Sequence, residues 1–474
     1  MEKILSHKND TIRTSLCQLN GDLAQEAVQS FRNITGYMGD RSTTKGAVDH
    51  SLKLLNNMLL APEDLRDEVY CQIIKQTTKN PSVDSNIKGW ELLAILAGSF
   101  PPGEELKPYV MHHCAAEHGR RHSNPKVRDY AVYVLHRIKK VCRLGPRREI
   151  PTPVEIEATR RLLPLNVRVS FLDDRYITLP VDSWSTAKEL EGRCAKMLGI
   201  KDGTPFALYE VSTEEEERVL EPEERILDLV AYWTRLETDE RTRKGKMANI
   251  EEFRFVYKVR LFLDVPDDDV AGVHLMYIQA THDVVDARYP CTDNDSITLA
   301  ALQVQEEHGD YPGPLGPNPL TGKVSKYIAK KYLEEKGEDV LEDSITKLYQ
   351  KLTGYSKREA RLSYLDYVKA WKIYGSAYFF AEPQSNREFP SAVVLAINSK
   401  GILVVDPDTK DYLAEYTYNN VVTWGHSQNS FVVVTGNITR RVKVYFRTEQ
   451  GKEMNSIVRA YVEKLMARSE AGDT

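Results

Sequence analysis

The sequence predicts a multidomain chain of α and β parts. It reads as a helical bundle, a mixed lobe of hairpin, helix and strands, a second helical lobe, and a strand-rich lobe closed by one helix. Three observations carry the prediction. Apolar residues recur at helical spacing from Gly21 to about Arg143. After a proline-rich stretch the period drops to two, and near Val270 it returns to helical. From Phe380 onward come short strand-like segments and, at the end, a single amphipathic stretch.

A chain of 474 residues is too long for one core and has room for about three domains. With 41% apolar and 28% charged residues it has the make-up of a folded protein, which sets extensive disorder aside. A net charge of -5 leaves any anion or nucleic-acid role to a local patch. Six cysteines (17, 71, 114, 142, 194, 291) include no CxxC pair and fit reduced thiols rather than a disulfide framework. The opening MEKILSHKND has no apolar core of signal-peptide length, and no run approaches a membrane span, so any membrane contact is expected to be peripheral. The first domain opens close to Met1, and the chain is expected to be an excised fragment.

Each element has its own warrant. Leu23, Ala27, Val28, Phe31, Ile34 and Tyr37 form one helical stripe. Val48, Leu52, Leu55 and Leu59 form the next, stopped by Pro62; Leu65, Val69, Ile73 and Ile74 form a third, ended by Asn80-Pro81. Trp90 to Phe100 is nearly all apolar and is closed by Pro101-Pro102-Gly103, which marks it as the buried central helix. Tyr130, Val134 and Ile138 make a later stripe. Residues 144–164 carry Pro146, Pro151, Pro153 and Pro164 and read as a linker along the surface. Val167, Val169 and Phe171 then alternate, with Tyr176, Thr178 and Pro180 after a turn at Asp173-Asp174. A helix from about Ser185 to Leu198 and strands at Phe206–Val211 and Phe253–Leu263 complete this lobe. Glu214–Glu217 and Thr238–Lys246 read as exposed loops within it.

Val270, Val273, Tyr277, Ala280, Val284 and Val285 open the second helical lobe. Pro290 and Thr292-Asp293-Asn294-Asp295 interrupt it, and Asp295 or Ser296 is a natural N-cap for the following helix of Ile297, Leu299, Ala300, Ala301, Leu302 and Val304. Strands are expected at 392–397, 402–405, 412–418, 421–424, 431–435 and 442–446. A last helix over Glu449–Met466 carries Met454, Ile457, Val458, Tyr461 and Leu465.

Longer motifs add a resemblance. LRDEVYCQIIKQTTKNP (Leu65 to Pro81) and GWELLAILAGSFPP (Gly89 to Pro102) resemble, in order, the MyTH4 domain of unconventional myosin tails and of one plant-type kinesin. Between Val270 and Tyr311, RYPC, LAAL followed by Q.Q, and GDY sit at the spacing of the central lobe of FERM domains. REARLSYLDYVKAWKIYGSAYF (Arg358 to Phe379) resembles the end of that lobe, where YG..YF closes the last helix. The resemblances cover nearly the whole chain. They imply a helical-bundle MyTH4 domain with its linker (1–163), then a three-lobed FERM domain. Its lobes are a ubiquitin-like β-grasp (164–265), an acyl-CoA-binding-protein-like helical bundle (266–375) and a PH/PTB-like β-sandwich with a C-terminal helix (376–474).

Several short motifs hint at chemistry and fail on context. His113-Cys114 and Arg120 spell the HCx5R of phosphatases, but Glu117 would repel phosphate, the preceding residues read as helix, and Arg121 stands where Ser or Thr belongs. His112, His113, Cys114, His118 and His122 lack the paired spacing of a zinc site and read as surface residues on a basic helix end. Gly316 to Lys323 is one residue too long for a P-loop, and Val324 replaces the magnesium-binding hydroxyl. Gly425–Asn429 lacks the second glycine of a nucleophile elbow. No catalytic constellation, metal site or cofactor site is expected.

Charge and shape supply the remaining candidates. Arg120, Arg121, Lys126, Arg128, Arg137, Lys139, Lys140, Arg143, Arg147 and Arg148 are opposed only by Asp129. The pattern fits a solvated helix face or a patch for an acidic partner. The resemblance points to microtubules, and no aromatic platform supports nucleic acid. Arg440 and Lys443 match a pair that, in class VII myosin tails, docks the tail onto the motor; an edge-strand charge guard is the alternative. Val421, Trp424, Met454, Ile457 and Tyr461 outline a groove where a peptide can add as a strand, and the cleft between the MyTH4 and first FERM lobes is a second candidate. The resemblance thus implies a noncatalytic, class VII-like myosin tail cassette. It would bind peptides of adhesion or scaffold proteins, the protein's own motor and microtubules, with peripheral membrane contact. It would sit in the cytoplasm on the cytoskeleton, at actin-rich protrusions or the cortex. The alternatives are a FERM-type membrane–cytoskeleton linker and the tail of a MyTH4-FERM kinesin.

Overall fold

The computed structural model describes residues 5–120, 123–214, 216–244, 252–313, 316–384, 388–436 and 440–472. The chain divides into two compact units. The first holds residues 1–170, 176–194 and 208–256; the second holds 171–175, 195–207 and 257–474.

The first unit opens with a helical bundle: α1 (Gly21–Met38), α2 (Ala47–Met58), α3 (Glu63–Thr77), α4 (Val83–Ala97), α5 (Lys107–Gly119), α6 (Pro125–Leu144) and α7 (Pro153–Arg160). As its composition requires, α4 is the central helix: Trp90, Leu92, Leu93, Leu96 and Ala97 are all fully buried. Helix α7 corrects the expectation of a surface linker. Pro153 sits in its first turn, where a missing N–H costs nothing, so here proline starts a helix instead of excluding one. Thr152 caps it by accepting from the Glu155 N–H at 3.2 Å. Ile156 lies in the bundle core, and the Arg160 guanidinium donates to Glu91 on α4 at 2.6 Å.

The mixed lobe follows: β1 (Leu165–Ser170), β2 (Tyr176–Val181), α8 (Ala187–Leu198), β3 (Phe206–Ser212), β4 (Glu217–Val219), α9 (Ile226–Lys244) and β5 (Phe253–Val259). Its five-stranded sheet has the order β2-β1-β5-β3-β4, with β1 and β5 parallel. Two expected loops are corrected. Glu217 begins β4, paired with Val211. Residues 238–244 belong to α9, and 245 and 246 lie outside the described residues. Charge concealed that helix: its second half has no apolar stripe but carries pairs one turn apart, Glu237–Arg241 at 2.8 Å among them.

The second unit contains α10 (Val270–Val285), α11 (Asp293–His308), α12 (Lys330–Lys336), α13 (Glu338–Tyr349) and α14 (Lys357–Lys369). Leu299, Ala300 and Val304 of α11 are fully buried. Its N-cap is Thr292, not Asp295 or Ser296. Thr292 accepts from the Asp295 N–H at 3.2 Å, and the Asp295 carboxylate accepts from the Thr292 N–H at 2.8 Å, a reciprocal capping box. The residues around YG..YF do not close a helix. Helix α14 stops at Lys369, and Gly375 turns the chain at φ 69°, where a Cβ would lie 2.3 Å from the Phe262 ring.

The strands then run β6 (Ala377–Pro383), β7 (Val393–Asn398), β8 (Gly401–Val405), β9 (Tyr412–Thr417), β10 (Val421–Ser427), β11 (Ser430–Gly436) and β12 (Arg441–Arg447), followed by α15 (Gly451–Gly472). Their order is β10-β11-β12-β6-β7-β8-β9. β12 and β6 pair only at Phe446–Pro383 and Arg447–Glu382, so the sheet folds into two layers around Leu395, Val404, Phe431, Val433 and Phe446. Met454 and Val458 of α15 pack into that core. Among the described residues no helix is long and apolar enough to cross a membrane. Thr292→Ala is expected to lower stability by about 1 kcal/mol, read as a shifted urea midpoint at unchanged slope.

Candidate functional site

The basic run around α6 does not form one open face. Arg147 lies fully buried between two carboxylates, donating to Asp228 at 2.6 Å and to Glu155. Burial opposes its charge, but Glu155 and Asp228 outweigh that and raise its pKa. Arg147 is therefore removed from the expected patch. Other members are also engaged: Arg137 with Asp182 at 3.3 Å, Lys140 with Glu189 at 2.6 Å, Arg143 with Glu223 at 3.4 Å and Arg120 with Glu117 at 2.8 Å. All but the last join the bundle to the mixed lobe within the first unit. Arg137 also lies over the Tyr133 ring at 4.0 Å, and Tyr133 meets Trp184 edge-on at 5.2 Å. The side chains of Lys126, Arg128, Lys139 and Arg148 form no ion pair within 4.0 Å among the described residues, although the Arg148 backbone N–H donates to Asp228 at 3.2 Å; Arg121 lies outside the described residues.

Beside this seam is a cleft of about 590 Å³, lined by Arg143, Pro146, Arg148, Glu149, Glu223 and Tyr232 among others. Arg225, at its wall, donates to the Gly145 carbonyl at 2.6 Å, and burial pushes it down to about 10.

In the strand-rich lobe, β10 stands at the end of the sheet order with β11 as its only strand partner among the described residues. A register shift between Val421 and Thr423 leaves Val422 exposed in a bulge. Helix α15 packs against β10. The Trp424 indole N–H donates to Asn455 at 3.0 Å. Val421, Trp424 and Ile457 are half-buried at this junction, whereas Met454 and Tyr461 are buried core residues and do not line a groove. Tyr461 packs on Leu261 and Leu263, and its hydroxyl accepts from the Phe262 N–H at 3.1 Å. The apolar stripe of α15 splits by helical spacing: 454, 458 and 461 face inward, and 457 lies on the flank. Arg440 and Lys443 are both exposed at the start of β12, which pairs with β11 along its length and is not a free outer strand.

The phosphatase-like motif is a packing motif. Cys114 is fully buried and its thiol is pushed up to about 12, the reverse of an activated nucleophile. His113 is not a surface histidine. It stacks on Trp90 at 4.7 Å and bonds Thr77 Oγ at 2.9 Å, and burial, with Arg120 and His112, holds it down to about 4. His112 and His118 are exposed, and His122 lies outside the described residues. No cluster able to hold a metal occurs among the described residues.

Family models match in the expected order: MyTH4 domain at 53–158, RA like domain at 163–261, FERM central domain at 267–379 and PTB domain (IRS-1 type) at 381–466. The chain is a MyTH4-FERM cassette. It is 27% identical over 485 residues to kinesin-like protein KIN-14I of Oryza sativa subsp. japonica, covering 99% of this chain and 38% of the relative. It is 27% identical over 469 residues to unconventional myosin heavy chain 6 of Caenorhabditis elegans, covering 95% and 22%. The cassette thus spans well under half the length of these curated relatives. The human Myosin 7b C-terminal MyTH4-FERM domain, solved in complex with the harmonin-a PDZ3 domain, shares the fold with TM-score 0.70 at 23% identity over 97% of this chain and 93% of that one.

Sequence reading missed the residues that complete these sites: Asp228 and Glu155 around Arg147, Trp184, and Asn455 of the cassette's last helix. Asp228 lies 81 positions from Arg147, and no local pattern marks such a pairing. Arg147→Met is expected to destabilise the cassette by about 3–5 kcal/mol because it strands two carboxylates. Lys139→Glu should change stability by less than about 0.5 kcal/mol. Urea unfolding of both variants checks the contrast.

Proposed function

We propose that the cassette is a noncatalytic recruitment module from the tail of a class VII-like unconventional myosin, holding peptide segments of adhesion or scaffold partners. The observation that carries this reading is the junction of β10 and α15, where an outer strand carries an exposed bulge next to half-buried Trp424 and Ile457. An extended peptide can add there through main-chain hydrogen bonds while an apolar side chain takes the Ile457 flank. The Myosin 7b complex with a PDZ domain supports scaffold proteins as the partner class. The cleft along the MyTH4 seam is the second recruitment surface. The relationship to KIN-14I favours a kinesin tail as the alternative parent; a membrane–cytoskeleton linker would leave the MyTH4 domain without a role. In either motor the cassette works on the cytoskeleton, and in the myosin at actin-rich protrusions or the cortex.

The finer roles follow from charge. Arg440 and Lys443 form the surface that folds back on the motor. The microtubule-facing set contracts to Lys126, Arg128, Lys139 and Arg148, the described members of the run whose side chains form no ion pair, and its affinity should fall steeply with salt. Peptides selected on the wild-type cassette are expected to lose about tenfold or more in affinity with Val422→Glu or Ile457→Arg. Unchanged titration calorimetry for both variants would exclude the groove. Arg440→Ala/Lys443→Ala should relieve inhibition of motor ATPase by the tail. Reversing the four basic residues to Glu should abolish microtubule co-sedimentation; retention in either assay refutes the corresponding role.

A further inference from the structure

Residues 5–20, before α1, are neither helix nor strand, yet they are tied along α3. The His7 N–H donates to the Thr78 carbonyl at 2.9 Å, and the Lys8 N–H and carbonyl bond the Gln76 amide at 3.1 and 3.0 Å. Farther along the segment, the fully buried Glu68 carboxylate accepts from the Leu16 N–H at 2.8 Å and the Cys17 N–H at 2.6 Å. Glu68 stands three residues before Cys71 on the same helix, so one turn of α3 fixes both ends of a thiol pair. The Cys17 thiol lies 4.0 Å from Cys71 Sγ, 54 residues away in the chain, and neither side chain is sealed in the core. The other four cysteines have no such neighbour among the described residues, and Cys114 and Cys194 are buried.

We propose that Cys17 and Cys71 are an oxidative modification site, a dithiol that closes to a disulfide and fastens the N-terminal segment to α3. Closure needs the sulfurs to move from contact to about 2.05 Å, which side-chain rotation can supply when the backbone is already held by Glu68. The roles of the two sulfurs differ. The hydrogen bond from Cys17 lowers the pKa of Cys71, while the same bond raises that of Cys17. With Cys17 as the donor to Cys71 Sγ in the 4.0 Å contact, Cys71 is taken as the attacking sulfur and Cys17 as the resolving one. With a hydroperoxide as oxidant, the Cys71 thiolate takes the distal oxygen, the O–O bond breaks, and hydroxide leaves with a proton as water. Cys17 then loses its proton and attacks the sulfenyl sulfur, the S–S bond forms, the S–O bond breaks, and a second water departs. Two thiols and one hydrogen peroxide give one disulfide and two waters; a small dithiol reverses the change.

The test uses the folded wild-type chain exposed to hydrogen peroxide, quenched with an alkylating reagent and digested with trypsin. The expected product joins the peptide containing Cys17, 14–32, to the peptide containing Cys71, 67–75, with the other four cysteines alkylated. In the Cys17→Ser chain, Cys71 should stop at sulfenic or higher acids and form no cross-link, because the resolving thiol is gone. The wild-type disulfide should also protect the bonds after Lys8 and Arg13 from limited trypsin digestion by about tenfold, with protection lost on adding dithiothreitol. Random pairing among all six cysteines in the folded chain, or independent oxidation of Cys17 and Cys71 without a cross-link, overturns the proposal. Scrambling that appears only in urea supports it.

Discussion

Arg147 carries a full charge at zero exposure between Asp228 and Glu155, and the first unit is organised by that fact. A lone guanidinium would be costly to bury there; a matched pair of carboxylates makes it tolerable and makes any other arrangement of the three residues costly. Glu155 comes from α7, Asp228 from the start of α9, and Arg147 from the stretch after α6. The contact therefore fixes the exit of the bundle, the short helix and the mixed lobe in one register. The exposed pairs along α6 contribute little each, roughly 0–1 kcal/mol. Their effect is directional: they orient a seam whose position the buried triad and Trp184 define.

This use of charge explains why the basic run was misleading as a sequence feature. A count of lysines and arginines registers net charge along the chain but not the carboxylates that fold against it. Asp182, Glu189, Glu223 and Asp228 all lie beyond the run itself, so its apparent excess is an artefact of sequence order. What remains uncompensated is a smaller set on α6 and just past its end, and it is this remainder that a partner would meet.

The legible parts of the fold were those where one physical effect dominates. Helix α4 is nearly all apolar and buried on every side from Gly89 to Ala97, and only a bundle centre accommodates that stretch. In the last lobe β12 alternates toward its end because one face is buried, whereas β7 and β8 are short apolar runs buried on both faces. Helices α7 and α9 were illegible for opposite reasons: a proline that starts a helix has the same local appearance as one that prevents it, and a charged helix without an apolar stripe resembles a loop until its one-turn ion pairs are seen. The capping box of α11 lay one helical turn before the expected cap, since Asp295 is half of the box and a plausible cap in its own right. The groove was half legible. Residues 454, 457 and 461 share a helical stripe, and spacing alone cannot separate the buried centre of a stripe from its accessible margin.

That margin is where recognition chemistry is possible. Met454, Val458 and Tyr461 anchor α15 against the sheet, so the helix is a rigid wall. Trp424 is tied to that wall through Asn455, which fixes the indole while leaving the bulge at Val422 beside it free of a cross-strand partner. A bulge twists an outer strand and interrupts its ladder, which discourages indiscriminate pairing with other chains. A peptide added there, as proposed, would have to match the bulge as well as the main-chain register. Selectivity at such an edge would come from the irregularity of the strand, and affinity from the wall beside it.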